Sequence, residues 1–189
     1  DAITATVTGS ITFPSESPVT NELTSYEFTT GTPGNYSVTT ANGQLTMANA
    51  EVAITISAAS ETFTYDGQPH SNATVSLTSG ELLPGDELVA TASGSVTNVA
   101  DTEVGNNPIA EGYKIMHGDV DVTANYVITP EAGTLTVNPK TVTVTAASEG
   151  FTYDGAAHSN ANYTVDGLVG GDAITATVTG SITFPSESP

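Results

Sequence analysis

The chain has 189 residues, 21 Asp+Glu against 2 Lys+Arg for a formal net charge of −19, and no cysteine. With so few cations to meet phosphates, no nucleic-acid partner is expected and anionic membrane surfaces are disfavoured; without cysteine no disulfide can staple a small core. No stretch approaches the roughly 20 apolar residues of a membrane span, so this segment is not expected to insert, and the charge favours cations, basic partners and solubility.

In chain order, residues 1–18 read DAITATVTGSITFPSESP, with Thr alternating with Ala, Val and Ile, and a helical turn fits at 22–28. From Asn35 the sequence NYSVTTANGQLTM is a short strand, a glycine and an alternating Leu-Thr-apolar strand. Between 51 and 139 a period of two predicts about seven strands, at 52–58, 62–65, 73–77, 88–97, 113–116, 126–129 and 134–137. Asp66-Gly67 and Leu83-Pro84-Gly85-Asp86 are turn signals, and 100–112 is the only other place where a helical turn fits. No ten-residue window carries a 3.6-residue apolar stripe. The expected class is all-β, as tandem immunoglobulin-like sandwich repeats; the alternative is a β-grasp-like repeat, which needs a helix across its sheet.

The chain repeats itself. Residues 1–18 recur letter for letter as 172–189, a period of 171. Within it, FTYDGQPHSN at 63–72 returns as FTYDGAAHSN at 151–160, and NYSVTTANGQLTM at 35–47 returns as NYVITPEAGTLTV at 125–137. Self-similarity of this kind marks tandem arrays. The parse is 51–139 as a complete repeat A, 140–189 as the N-terminal part of a repeat B, and 1–50 as the C-terminal part of a B. The segment then reads as a window on an A-B-A-B array. Its half-repeats would expose unpaired sheet edges, so they are expected to be completed by neighbouring chains or along a continuous fibre.

Asp66, His70 and Ser71 are the residue types of a hydrolytic triad, but they sit within six residues of one strand and turn, whereas a triad converges from separate elements. No catalytic residue is expected and the chain is read as a non-enzyme. Asp-Gly instead supplies the positive backbone angle of a tight turn. Tyr65, Asp66, Gly67 and His70, with Tyr153, Asp154, Gly155 and His158, are read as a structural turn motif.

The stretches TYDGQPHSN, LLPGDELVATASGSVTNVADTEVGNNPI and YKIMHGDVDVTANYVITPEAGTLTVNP resemble the YDG or MBG-type tandem repeats of large cell-surface and secreted proteins, mainly of Gram-positive gut bacteria. The resemblance covers all of repeat A, and repeat B at its front and at its Asn-Tyr…Gly-x-Leu-Thr end; residues 13–30 depart from the pattern. It implies an extracellular, cell-surface stalk, adhesin or fibre and brings no catalytic residues.

Neighbouring copies of the same repeat or chain are therefore the expected partners. The rival readings are a module binding a glycan or host protein at the cell surface, and a polymerising filament subunit completed by strands of neighbouring chains. No cofactor is required by any motif; Asp101, Glu103, Asp119 and Asp121 are the candidates for a weak calcium site, since clustered carboxylates suit a hard cation.

Overall fold

The computed structural model of the chain describes residues 1–188. Its strands are β1 (Ala2–Val7), β2 (Val19–Asn21), β3 (Leu23–Thr30), β4 (Gly43–Leu45), β5 (Val52–Ala58), β6 (Glu61–Thr64), β7 (Val75–Ser79), β8 (Asp86–Val89), β9 (Lys114–His117), β10 (Val120–Asp121), β11 (Tyr126–Glu131), β12 (Leu135–Asn138), β13 (Thr143–Ala146) and β14 (Tyr163–Asp166). The only helical elements among the described residues are short 3-10 turns, so the structure is all-β, built from several small sheets.

The chain divides into two compact units, each assembled from separated segments. The first comprises Asp1–Ser57, Ser76–Ala90 and Glu111–Pro130. Its sheets are β1-β3, β2-β4, β10-β9-β8 and β11-β5-β7. β5 alternates as its sequence demands, turning Ile54 and Ile56 inward to be buried. Ile115 of β9, Val122 and Tyr126 are also buried, each such side chain contributing about 1.5–3 kcal/mol on leaving water. The Ile115 amide donates to Thr123 Oγ1 at 2.9 Å, and the Val122 amide to the Ile115 carbonyl at 2.9 Å.

The second unit comprises Ala58–Val75, Thr91–Ala110 and Glu131–Pro189. Here β12 runs parallel to β6, with Val137 opposite Phe63, and β13 pairs antiparallel with β14. Val96, Leu135 and Val137 form a buried cluster against which Phe63 and Tyr65 pack. Asn107, fully buried, ties this region together. Its Nδ2 donates to the carbonyls of Ala59 and Asn72, both at 2.9 Å, and its Oδ1 accepts from the Gly94 amide at 2.9 Å. Gly94 must be glycine, because a Cβ there would stand 2.5 Å from Asn107 Cα.

Three expectations about elements change. Residues 22–28 do not form a helical turn. They enter β3, where alternate residues Tyr26 and Phe28 face Ala5 and Ile3 across the antiparallel pair. The run 88–97 is not one strand: β8 stops at Val89, and Ala92 and Val96 make isolated bridges to Ile109 and His70. Residues 100–112 contribute to a helical element only through the 3-10 turn at Val99–Asp101.

The duplicated segment takes two conformations. Its 3-10 turn is the same in both copies, Pro14–Glu16 and Pro185–Glu187. In each, the glutamate Oε2 accepts two backbone amides, from Thr12 and Phe13 at 2.7 and 2.8 Å, and from Thr183 and Phe184 at 2.7 and 2.9 Å. By contrast residues 2–7 are β1, while the same letters at 173–178 form no strand. β1 exists beside β3, and 173–178 pairs with no such strand. Every buried apolar residue among those described lies between Ile54 and Val137, within repeat A.

Candidate functional site

The turn motif forms the same network in both copies. Asp66 Oδ1 accepts the Gln68 amide at 2.9 Å and His70 Nε2 at 2.9 Å. Gly67 has φ +78° and closes the turn. The Phe63 ring stacks on the His70 imidazole at 4.4 Å, and His70 bridges Val96 through both backbone groups. Asn72 Oδ1 accepts the Thr74 amide, and its Nδ2 donates to Glu61. Residue for residue, Asp154 accepts the Ala156 amide at 2.9 Å and His158 Nε2 at 2.8 Å. Gly155 has φ +84°, and Phe151 stacks on His158 at 4.8 Å. His158 bridges Ile182, and Asn160 bonds the Asn162 amide and Glu149. The Gln68 and Ala156 amides, and secondly the histidines, hold both aspartates below the usual carboxyl range.

The copies differ in what covers them. In repeat A, β12 lies along β6 and Leu135 and Val137 pack with Phe63 and Tyr65. The Tyr65 amide also donates to the Asn138 carbonyl at 2.9 Å. In repeat B the matching residues 149–152 form no strand. Phe151 is 39% exposed and Tyr153 58%. A groove of about 380 Å³ opens there, lined by Phe151, Tyr153, His158, Ile182 and Phe184 among others. The Tyr65 hydroxyl donates to Asp172 Oδ2 at 3.3 Å, and that carboxylate first, with burial, raises the phenol's pKa.

A second cluster, in the first unit, was legible in the sequence only as the Leu83-Pro84-Gly85-Asp86 turn. Tyr126 donates its hydroxyl to Asp86 Oδ2 at 2.5 Å and accepts the Leu83 amide at 2.9 Å. His117 Nδ1 bonds Asp86 Oδ1 at 2.6 Å, and Phe13 meets the His117 ring edge-on at 5.3 Å. Burial, then Asp86, pushes the Tyr126 phenol up. A cavity of about 230 Å³ borders the group, and Asn125, which lines it, holds a buried Oδ1 without a hydrogen-bond donor. The repeat separates framework from addition. Tyr36 likewise donates to Asp1, the B counterparts of Tyr126 and Asp86, whereas Thr30 stands where repeat A has His117.

The calcium candidates are not gathered. Asp101 and Glu103 belong to the second unit, Asp119 and Asp121 to the first. Asp101 Oδ2 is engaged by the Thr97 and Asn98 amides at 2.8 and 2.7 Å. Asp121 accepts the Thr123 hydroxyl at 2.6 Å and pairs with Lys114 at 3.0 Å, which takes its pKa down to about 2. Among the described residues no three His, Asp or Glu side chains are grouped to hold a metal ion, and no helix is long and apolar enough to cross a membrane. No protein-family model, no curated protein and no solved structure matches the chain.

Proposed function

We propose that this chain is a structural segment of a tandem β-repeat array, serving as an extracellular stalk, adhesin or fibre at a cell surface. One observation carries the reading: the turn network of 61–74 is rebuilt bond for bond at 149–162, the histidine bridge included. Selection for a reactive centre would keep one converging set of groups; selection for length keeps a module. The finer fold is an immunoglobulin-like sandwich. Short strands joined by tight turns, with no helix beyond 3-10 turns among the described residues, support that reading. The YDG/MBG resemblance agrees with this assignment, and the net charge keeps such an array soluble. The test is a series of chains with one, two and three 171-residue periods. Small-angle scattering should give a maximum dimension that rises linearly with the number of periods. A dimension growing only with the cube root of mass would refute the stalk.

A second reading, a ligand-binding adhesin module, draws on the cavity beside Asp86 and His117, where Asn125 Oδ1 awaits a donor. Glycan-array binding that is lost on His117→Thr would favour it.

A further inference from the structure

We infer that the groove over Phe151 and Tyr153 is a strand-binding site and that its occupant is residues 43–48 of a second copy of this chain. The inference rests on the array reading and names the contact that joins copies.

Repeat A supplies the template, because there the same groove is filled. β12 lies parallel to β6, with Leu135 opposite Glu61, Thr136 opposite Thr62, Val137 opposite Phe63 and Asn138 opposite Thr64. Gly133 on its other side bridges Asn107, whose Oδ1 takes the Gly94 amide. The only matching strand in this sequence is GQLTMA at 43–48, against GTLTVN at 133–138. Its other contacts are already those of the template. Gly43 pairs with Asn21, and Asn21 Oδ1 accepts the Gly9 amide at 3.1 Å. Among the described residues the edge of β4 facing away from β2 pairs with no other strand, and Met47 is 36% exposed.

Donor and acceptor thus each lack what the other has. The acceptor holds the aromatic floor of Phe151 and Tyr153 and an unpaired extended segment, 149–152. The donor holds the apolar pair Leu45 and Met47 at the spacing of Leu135 and Val137. Superposing the template register sets Leu45 opposite Glu149, Thr46 opposite Gly150, Met47 opposite Phe151 and Ala48 opposite Thr152. A donor also brings its own residues 1–18, identical to the acceptor's 172–189. Whichever copy stands beside His158, Ile11 or Ile182 can make the same bridge, so exchange between them keeps that contact.

The chain has no cysteine, which makes the test direct. Ala48→Cys in one preparation and Thr152→Cys in another are mixed under mild oxidation. Directly opposed residues of paired strands lie within disulfide reach. The heterodisulfide should form at least about tenfold faster than one between Thr152→Cys and Ala124→Cys, through the raised local concentration of a docked pair. No excess over that control overturns the inference. A second arm appends the sequence of residues 19–50 after Pro189 on the Thr152→Cys chain, filling the groove from its own chain; the excess should vanish. If cross-linking persists undiminished, the contact lies elsewhere and the inference fails. If no excess forms but the extended chain protects the Phe151 amide from hydrogen exchange, docking between copies fails while the array reading stands.

Discussion

Asn107 is the position where removal of a few atoms should do most damage. Asn107→Ala deletes three hydrogen bonds at a fully buried site and strands the Gly94 amide and the Ala59 and Asn72 carbonyls. A buried polar group left unpaired costs about 1–3 kcal/mol, and relaxation lets some find other partners, so a loss of about 3–5 kcal/mol is expected. That is a large share of the roughly 5–15 kcal/mol that holds an ordinary domain together. Asn21→Ala is the internal control. Asn21 occupies the same repeat position but is only half-buried and has the single Gly9 bond, so its loss should be about 1 kcal/mol. Urea unfolding gives the two midpoints; at a slope of about 2 kcal/mol/M, Asn107→Ala should move the transition of its unit by about 2 M. Hydrogen exchange at the Gly94 amide should lose protection in the same variant. Asn107→Asp adds a sharper condition. One oxygen can still take the Gly94 amide, but the other faces two carbonyls, so it should be no milder than alanine and should worsen as pH rises from 4 to 7. Equal midpoints for Asn107→Ala and Asn21→Ala would refute the claim that Asn107 ties the second unit together.

Other outcomes follow from the same contacts. Tyr126→Phe leaves Asp86 Oδ2 and the Leu83 amide without their partner and should cost about 1.5–3 kcal/mol; His117→Thr, which copies repeat B, removes the partner of Oδ1 on the same buried carboxylate and should cost about 1–3 kcal/mol, as thermal melts would record. Gly67→Ala and Gly155→Ala both force a left-handed residue, a penalty of about 1–2 kcal/mol. Only at Gly67 does the new Cβ also meet Val169 Cγ1, at 2.7 Å, while Gly155 has open space, so Gly67→Ala should be the more destabilising in denaturant titrations. Asp121 has a depressed folded pKa, so its stabilising contribution is complete above its ordinary value of 3.8 and is lost as pH falls toward about 2. The stability difference between the parent chain and Asp121→Asn should therefore shrink to nothing over that window, whatever the global charge does. Because Asp101 and Asp121 are already engaged, the melting temperature should be the same in millimolar calcium and in chelator; a rise with calcium would restore the cation site.

The strands of repeat A were readable because period-two alternation reports burial directly: Ile54 and Ile56 point inward from a run that says so on its face. What failed was continuity. The run 88–97 alternates throughout, yet it is divided where Ala90 and Thr91 part company, since the first unit keeps one side and the second the other. Alternation states which face is buried, never against what. Residues 22–28 misled for a related reason, because β3 is exposed at most positions and is held by its register with β1 instead of by an apolar stripe. At the candidate sites the turn motif was legible through Asp-Gly chemistry and its recurrence. Asp86 with Tyr126 was not, because its members lie 40 residues apart; aligning the copies, which sets Asp1 and Tyr36 beside them, would have exposed the pair. The open groove could be inferred only once Leu135 and Val137 were seen filling its twin.

The doubled eighteen residues separate what a peptide knows alone from what it must be told. Its glutamate-capped bend is written in nearest neighbours and holds in both settings, while its extended half is granted by the strand alongside. An array made this way would gain order in half-module steps, each newly made length holding a finished corner and an unfinished ribbon until its successor arrives. Pieces cut for expression would fare best severed beyond Thr30, where the ribbon has met its neighbour, and worst just past the bend.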